Sequence, residues 1–164
     1  MKTYKTKYLT MTGYIKYARI FHENYDDNMD YHSKTEGQFN CNFYFSDEDD
    51  IQRLMDTGIG PTSMGHDRIK EDGEFGIGKY IKLHRPFRHP KVARFGGAPV
   101  VVDHTNGESG KIWDFDADGA LGHGTEVRVK ISTWGEGSTA VIRLEKVAVI
   151  NHVPYEVFEE EGAF

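Results

Sequence analysis

Glu126-Val127-Arg128-Val129-Lys130-Ile131-Ser132-Thr133, then Trp134-Gly135-Glu136-Gly137-Ser138, then Ala140-Val141-Ile142-Arg143-Leu144 running on to Ile150, reads as two strands joined by a glycine-rich turn. Successive side chains of a strand point to opposite faces, so Val127, Val129 and Ile131 share one face while Arg128, Lys130, Ser132 and Trp134 share the other. One face is core and the other is cationic with an indole. Glycine reaches the positive φ angles that tight hairpin turns need. In the returning arm Ile142 and Leu144 oppose Val141 and Arg143.

Outward from this hairpin, residues 79–85 repeat the arrangement, with Ile81 and Leu83 opposed to Tyr80, Lys82 and His84. High aromatic and glycine content with little proline favours strands over helices, so the fold class is mainly β. Further strands are predicted over 12–21, 39–45 and 98–102, with Phe43, Phe45 and Ile81 in the core. One helix is predicted from Ser46 as N-cap, with acids in its first turn, Ile51, Leu54 and Met55 on one face, and Gly58 at its end. Residues 58–78 are glycine-rich and aperiodic and read as a long loop, of a kind that is usually functional or mobile.

A chain of 164 residues supports one domain, expected over residues 1–154, followed by an acidic tail over 155–164 with too few apolar groups to pack, hence disordered. No run has the length of a membrane span and the N-terminus lacks the apolar core of a signal peptide, so a soluble, cytoplasmic protein is expected. The single cysteine, Cys41, excludes an internal disulfide framework and agrees with a reducing compartment.

The net charge of -6 hides a segregation. Residues 1–21 and 79–94 hold Lys2, Lys5, Lys7, Lys16, Arg19 and Lys79, Lys82, Arg85, Arg88, Lys91, Arg94 with no acid among them. The acids gather at 47–50, at Asp114, Asp116 and Asp118, and at Glu156, Glu159, Glu160 and Glu161. A local positive field within an acidic chain still attracts a polyanion.

Catalytic signatures are lacking. Asp114-Phe115-Asp116-Ala117-Asp118-Gly119 opens like a calcium loop, but Thr125 stands where the bidentate glutamate belongs and no helical pattern flanks it, so turn formation is favoured. The eight histidines fall at no common metal-ligand spacing. No nucleophile elbow, zincin motif or phosphate loop occurs, and Gly76-Ile77-Gly78 lacks the third glycine of a dinucleotide fingerprint. A binding protein without catalytic residues, metal or cofactor is expected.

Single-stranded nucleic acid presents a line of phosphates and exposed base faces, so a sequence-tolerant binder needs Lys and Arg along a groove with flat rings between them. The candidates are Lys16, Tyr17 and Arg19 in the first strand; Tyr80, Lys82, His84, Arg85, Phe87, Arg88, Lys91, Arg94 and Phe95 in the basic run; and Arg128, Lys130, Trp134 and Arg143 in the hairpin. Three strands with basic outer faces are expected to form one groove, with Tyr80, Phe87 and Trp134 as stacking platforms.

In order and spacing, Tyr80-Ile81-Lys82-Leu83-His84-Arg85-Pro86, Gly96-Gly97-Ala98-Pro99-Val100-Val101-Val102-Asp103, Gly122-His123-Gly124-Thr125-Glu126-Val127-Arg128-Val129-Lys130 and Arg143-Leu144-Glu145-Lys146-Val147 resemble phage-encoded single-stranded DNA-binding proteins with an OB-fold. The resemblance implies a five-stranded Greek-key barrel that coats single-stranded DNA in the host cytoplasm during phage replication, recombination and repair. It further implies a tail that contacts phage DNA polymerase, helicase-primase or recombination proteins through Glu159, Glu160, Glu161 and Phe164. This tail is shorter than the family's and carries Gly162-Ala163 before Phe164. A homodimer is compatible with this reading. The competing readings are a structural or protein-interaction module, such as a virion component or assembly factor, without DNA affinity, and a metal-dependent nuclease or phosphatase built on Asp114 to Asp118.

Overall fold

The computed structural model describes residues 5–59, 68–108, 110–137 and 140–155. Its strands are β1 (Lys7–Arg19), β2 (Gln38–Phe45), β3 (Lys70–Glu71), β4 (Lys79–Pro86), β5 (Val100–Asp103), β6 (Lys111–Ile112), β7 (Thr125–Trp134) and β8 (Val141–Asn151). The helices are α1 (Met29–His32), α2 (Glu48–Asp56) and α3 (Phe115–Asp118). All strands join one sheet in the order β3-β4-β2-β1-β7-β8-β5-β6.

The five long strands make the Greek-key barrel. β1, β2 and β4 form an antiparallel meander, β7 pairs with the other side of β1, and β8 returns as its hairpin partner. The sheet curls until the end of β4 meets β8, where Arg85 and Glu145 form an ion pair at 3.3 Å. Beside that seam β5 runs parallel to β8.

The hairpin behaves as its alternation demands: Val127, Val129, Ile131, Ile142 and Leu144 have no exposed surface, and Phe43, Phe45 and Ile81 join them in the core. β1 begins earlier than expected, at Lys7, because Leu9 and Met11 extend the inward phase of Gly13 and Ile15 while Tyr8 and Thr10 face out. At Gly13 an added Cβ would lie 2.1 Å from the Tyr44 carbonyl oxygen, so only glycine lets β1 and β2 approach this closely. In α2 the N-cap is Asp47, one residue later than expected, because its carboxylate rather than the Ser46 hydroxyl accepts the Asp49 N–H at 2.7 Å. The Asp114 carboxylate caps α3 by accepting the Asp116 and Ala117 N–H groups, and Asp118 accepts that of Asp114. Those carboxylates serve the turn. Among the described residues no helix is long and apolar enough to cross a membrane.

Cys41 is buried in β2, and burial pushes its thiol from 9.0 up to about 12. The folded chain keeps this proton while the unfolded chain releases it above about pH 9, so the contribution is complete below pH 9 and fades as pH rises toward 12. We therefore expect stability to fall with rising pH above pH 9 at up to ~1.4 kcal/mol per pH unit from this group. Denaturant midpoints at pH 8 and pH 10.5 check this, with a shallower fall expected for Cys41→Ala.

Candidate nucleic-acid interface

The register of β1, β2 and β4 lines up three outward rows. Tyr14, Tyr44 and Tyr80 form one; Lys16, Asn42 and Lys82 the next; Arg19, Asn40 and His84 the third. The intervening row, Ile15, Phe43 and Ile81, points into the core. The Tyr44 and Tyr80 rings lie 4.9 Å apart at 32°, and Lys70 extends their row. Lys82 is half-buried between these rows and makes no ion pair among the described residues. Desolvation holds its ammonium below the ordinary lysine value, opposed by the field of Asp26.

An acidic turn covers part of this surface. Residues 60–67 of the expected long loop lie outside the described residues, but the remainder forms β3 and a turn over 72–78 that folds back on β1 and β2. The Tyr44 hydroxyl donates to Asp72 at 2.6 Å, and the Phe75 ring meets Tyr44 edge-on at 5.3 Å. Burial first, then this hydrogen bond, raises the Tyr44 phenol well above its ordinary range. Lys16 pairs with Glu74, which raises the lysine in turn. Gly76, at φ +55°, permits the approach: a Cβ there would sit 2.2 Å from the Phe45 carbonyl oxygen. Because Glu74 holds a cation that a phosphate would use, Glu74→Gln is expected to tighten single-strand binding about two- to fivefold. The gain is expected to shrink at high salt, and oligonucleotide titrations of the two proteins check both points.

A bulge between Lys16 and Arg19 turns Tyr17 outward at φ +52°, a conformation rare for a residue with a Cβ. Its N–H, lost to the ladder, donates to His123 Nδ1 at 3.1 Å, and its ring is 59% exposed beside the Lys16 ammonium. Arg19 is exposed at the end of the strand.

The rest of the basic run divides. Arg85 is buried: Nε donates to the Gly97 carbonyl, Nη2 to those of Arg94 and Gly96, and Nη1 to Glu145. Its charge closes the barrel instead of lining a groove. Phe87, expected as a platform, stacks within the molecule on Tyr25 at 4.6 Å and Phe39 at 5.8 Å. Arg88 is exposed and pairs with Glu36, while Lys91 and Arg94 are exposed. Phe95 is half-buried under the Arg143 guanidinium, 3.9 Å from its centroid, with that of Arg94 at 5.0 Å. In the hairpin Arg128 pairs with Glu108, Lys130 lies over the Tyr8 ring, and Trp134 is 49% exposed. The basic residues fall in two groups, one toward the Lys16–Arg19 end of β1 with β2 and β4, the other on the β7–β8 hairpin with Phe95, where Arg128 and Lys130 stand opposite Thr12 and Thr10 of β1.

Sequence reasoning missed Tyr8, Tyr14, Asn42, Tyr44, Lys70 and the acidic turn. The signal for Asn42 and Tyr44 was their shared phase opposite Phe43 and Phe45. The acidic tail from Glu156 through Glu159, Glu160, Glu161 and Phe164 lies outside the described residues.

No family model matches the sequence, and no curated protein matches it. Among solved structures the chain is similar to a C-terminal truncation of the single-stranded DNA-binding protein from bacteriophage Enc34, at 12% identity and TM-score 0.58 over 91% of this chain and 88% of that one. A second structure of the Enc34 protein matches at 15% identity and TM-score 0.53, over 94% of this chain and 85% of that one. In fold, therefore, this chain is similar along most of its length to a phage single-stranded DNA-binding protein.

Proposed function

We propose that the chain binds single-stranded DNA without sequence specificity, laying the strand across β1, β2 and β4, and that it is not an enzyme. Lys82 carries the proposal: a half-buried ammonium without an acidic partner among the described residues, set between a tyrosine row and the Arg19–His84 row. A desolvated, unpaired cation is costly unless an anion meets it. Rings beside such cations suit a chain of phosphates and bases, because every base has a stacking face and none need be read. Lys16, Arg19 and Lys70 supply further phosphate contacts, and Tyr14, Tyr17 and Tyr80 supply rings. The likeness in fold to the Enc34 protein agrees with this reading.

In this reading the protein coats the single strands exposed during phage DNA replication, recombination and repair, and its acidic tail contacts replication proteins through Glu159, Glu160, Glu161 and Phe164. Fluorescence anisotropy of labelled oligo-dT at two salt concentrations, with an equal-length duplex as competitor, tests the binding. The reading predicts preference for the single strand and steep weakening with salt. Absence of binding at low salt, by the full chain and by a chain shortened at residue 155, contradicts it.

A further inference from the structure

A second feature lies past the end of β4, where the chain crosses the β7–β8 hairpin. Thr6, His89, Phe95, Trp134, Val141 and Arg143 line a cavity of about 230 Å³ there. That is smaller than the ~300–1,000 Å³ of ordinary small-molecule pockets and suits one ring system with its attached groups.

The electrostatics of this cavity are unbalanced. The Arg143 guanidinium is half-buried and stacked on Phe95. It forms no ion pair or hydrogen bond among the described residues: Glu145, the acid whose field acts on it, is engaged by Arg85 through one oxygen and by the Ser132 hydroxyl through the other. Held over the Phe95 ring, the guanidinium keeps its N–H groups for a planar or tetrahedral anion, which arginine can grip in a bidentate way and lysine cannot. His89 is pinned by accepting the Lys91 and Val92 N–H groups at Nδ1, which leaves Nε2 as its remaining ring nitrogen. Arg94 adds a second positive charge over the same phenyl ring. The half-exposed Trp134 indole forms part of the wall.

We propose that this cavity takes one nucleotide of the bound strand, its phosphate on the Arg143 guanidinium and its base against the Trp134 ring. The proposal rests on the single-strand reading above and extends it: the strand does not end on the β1–β2–β4 face but crosses the seam of the barrel, which adds a specific contact to a surface otherwise tolerant of sequence.

The chain has two tryptophans, and the other, Trp113, is buried with its indole N–H on the Gly119 carbonyl. Intrinsic fluorescence therefore reports on Trp134. Labelled oligo-dT is titrated while anisotropy and tryptophan emission are read together, for the unaltered protein, Arg143→Gln, Arg143→Lys and Trp134→Phe. The expected result is a change in emission that tracks anisotropy and is lost in Trp134→Phe. Arg143→Gln is expected to bind about tenfold more weakly, with a salt slope shallower by roughly 0.7, and Arg143→Lys to recover the slope but not the full affinity. Among the described residues the Arg143 side chain makes no ion pair and no hydrogen bond and lies over Phe95, so an unchanged thermal transition is the control for folding. Tight binding by anisotropy with unchanged emission and unaltered affinity in Arg143→Gln overturns the proposal and leaves the β1–β2–β4 face as the whole site. No binding of any oligonucleotide overturns both.

Discussion

Arg85→Ala is expected to cost about 3–5 kcal/mol of folding stability, the range for removing one partner of a buried ion pair. Three carbonyls, of Gly97, Arg94 and Gly96, accept from this guanidinium, and Glu145 completes the set. Alanine would strand all four acceptors at the seam where β4 meets β8 and loosen the crossing segment that carries Phe95. For a chain of this size the loss corresponds to roughly 6–20 °C in the thermal transition. Calorimetry or circular dichroism melting checks it. The salt slope of DNA binding by the folded fraction is expected to stay unchanged, because Arg85 is buried and four of its five N–H donors are already bonded within the molecule. A variant that melted like the unaltered protein yet bound DNA with a shallower slope would return Arg85 to the interface.

The second large effect belongs to the tyrosine row. Tyr80→Ala is expected to weaken oligo-dT binding by ~1–3 kcal/mol, about 5- to 150-fold, the range measured when a base loses an aromatic platform. Tyr80→Phe keeps the ring beside Tyr44 and is expected to bind nearly as the unaltered protein does. Lys82→Ala is expected to act differently, lowering affinity evenly across sequences and reducing the salt slope by roughly 0.7. Relieved of an unpaired half-buried charge, Lys82→Ala is also expected to be no less stable than the parent. Titrations at several salt concentrations separate a stacking loss, which shifts the line, from a phosphate loss, which tilts it.

The barrel was legible because its strands alternate cleanly. Val127, Val129 and Ile131 against Arg128 and Lys130, and Ile81 and Leu83 against Tyr80 and Lys82, each name a buried and an outer face from the sequence. The same phase held the clue to Arg85, which follows Ile81 and Leu83 inward; its charge masked the pattern, since arginine is rarely buried unless every donor is met. Tyr17 was named from its place between Lys16 and Arg19 and not from its phase, because the bulge that turns it outward breaks the alternation there. The acidic turn could not be read, since its position depends on contacts far apart in sequence, Asp72 and Phe75 on Tyr44 and Glu74 on Lys16. The division of the basic residues into two groups follows from the register of β7 on β1, which sets Arg128 and Lys130 against Thr12 and Thr10 and away from Lys16 and Arg19, and hydrophobic periodicity does not encode that register.

The central claim is that a single strand lies on the outer face of β1, β2 and β4. Photo-crosslinking of a bromodeoxyuridine-substituted oligonucleotide, followed by mass spectrometry of the joined peptides, tests it most directly. The account predicts crosslinks on the peptides carrying Tyr80 and Tyr14 or Tyr17, abolished by unlabelled oligo-dT and reduced by high salt. Crosslinks confined to other faces of the barrel, such as β6 and α3, or persisting in excess unlabelled competitor, would contradict it.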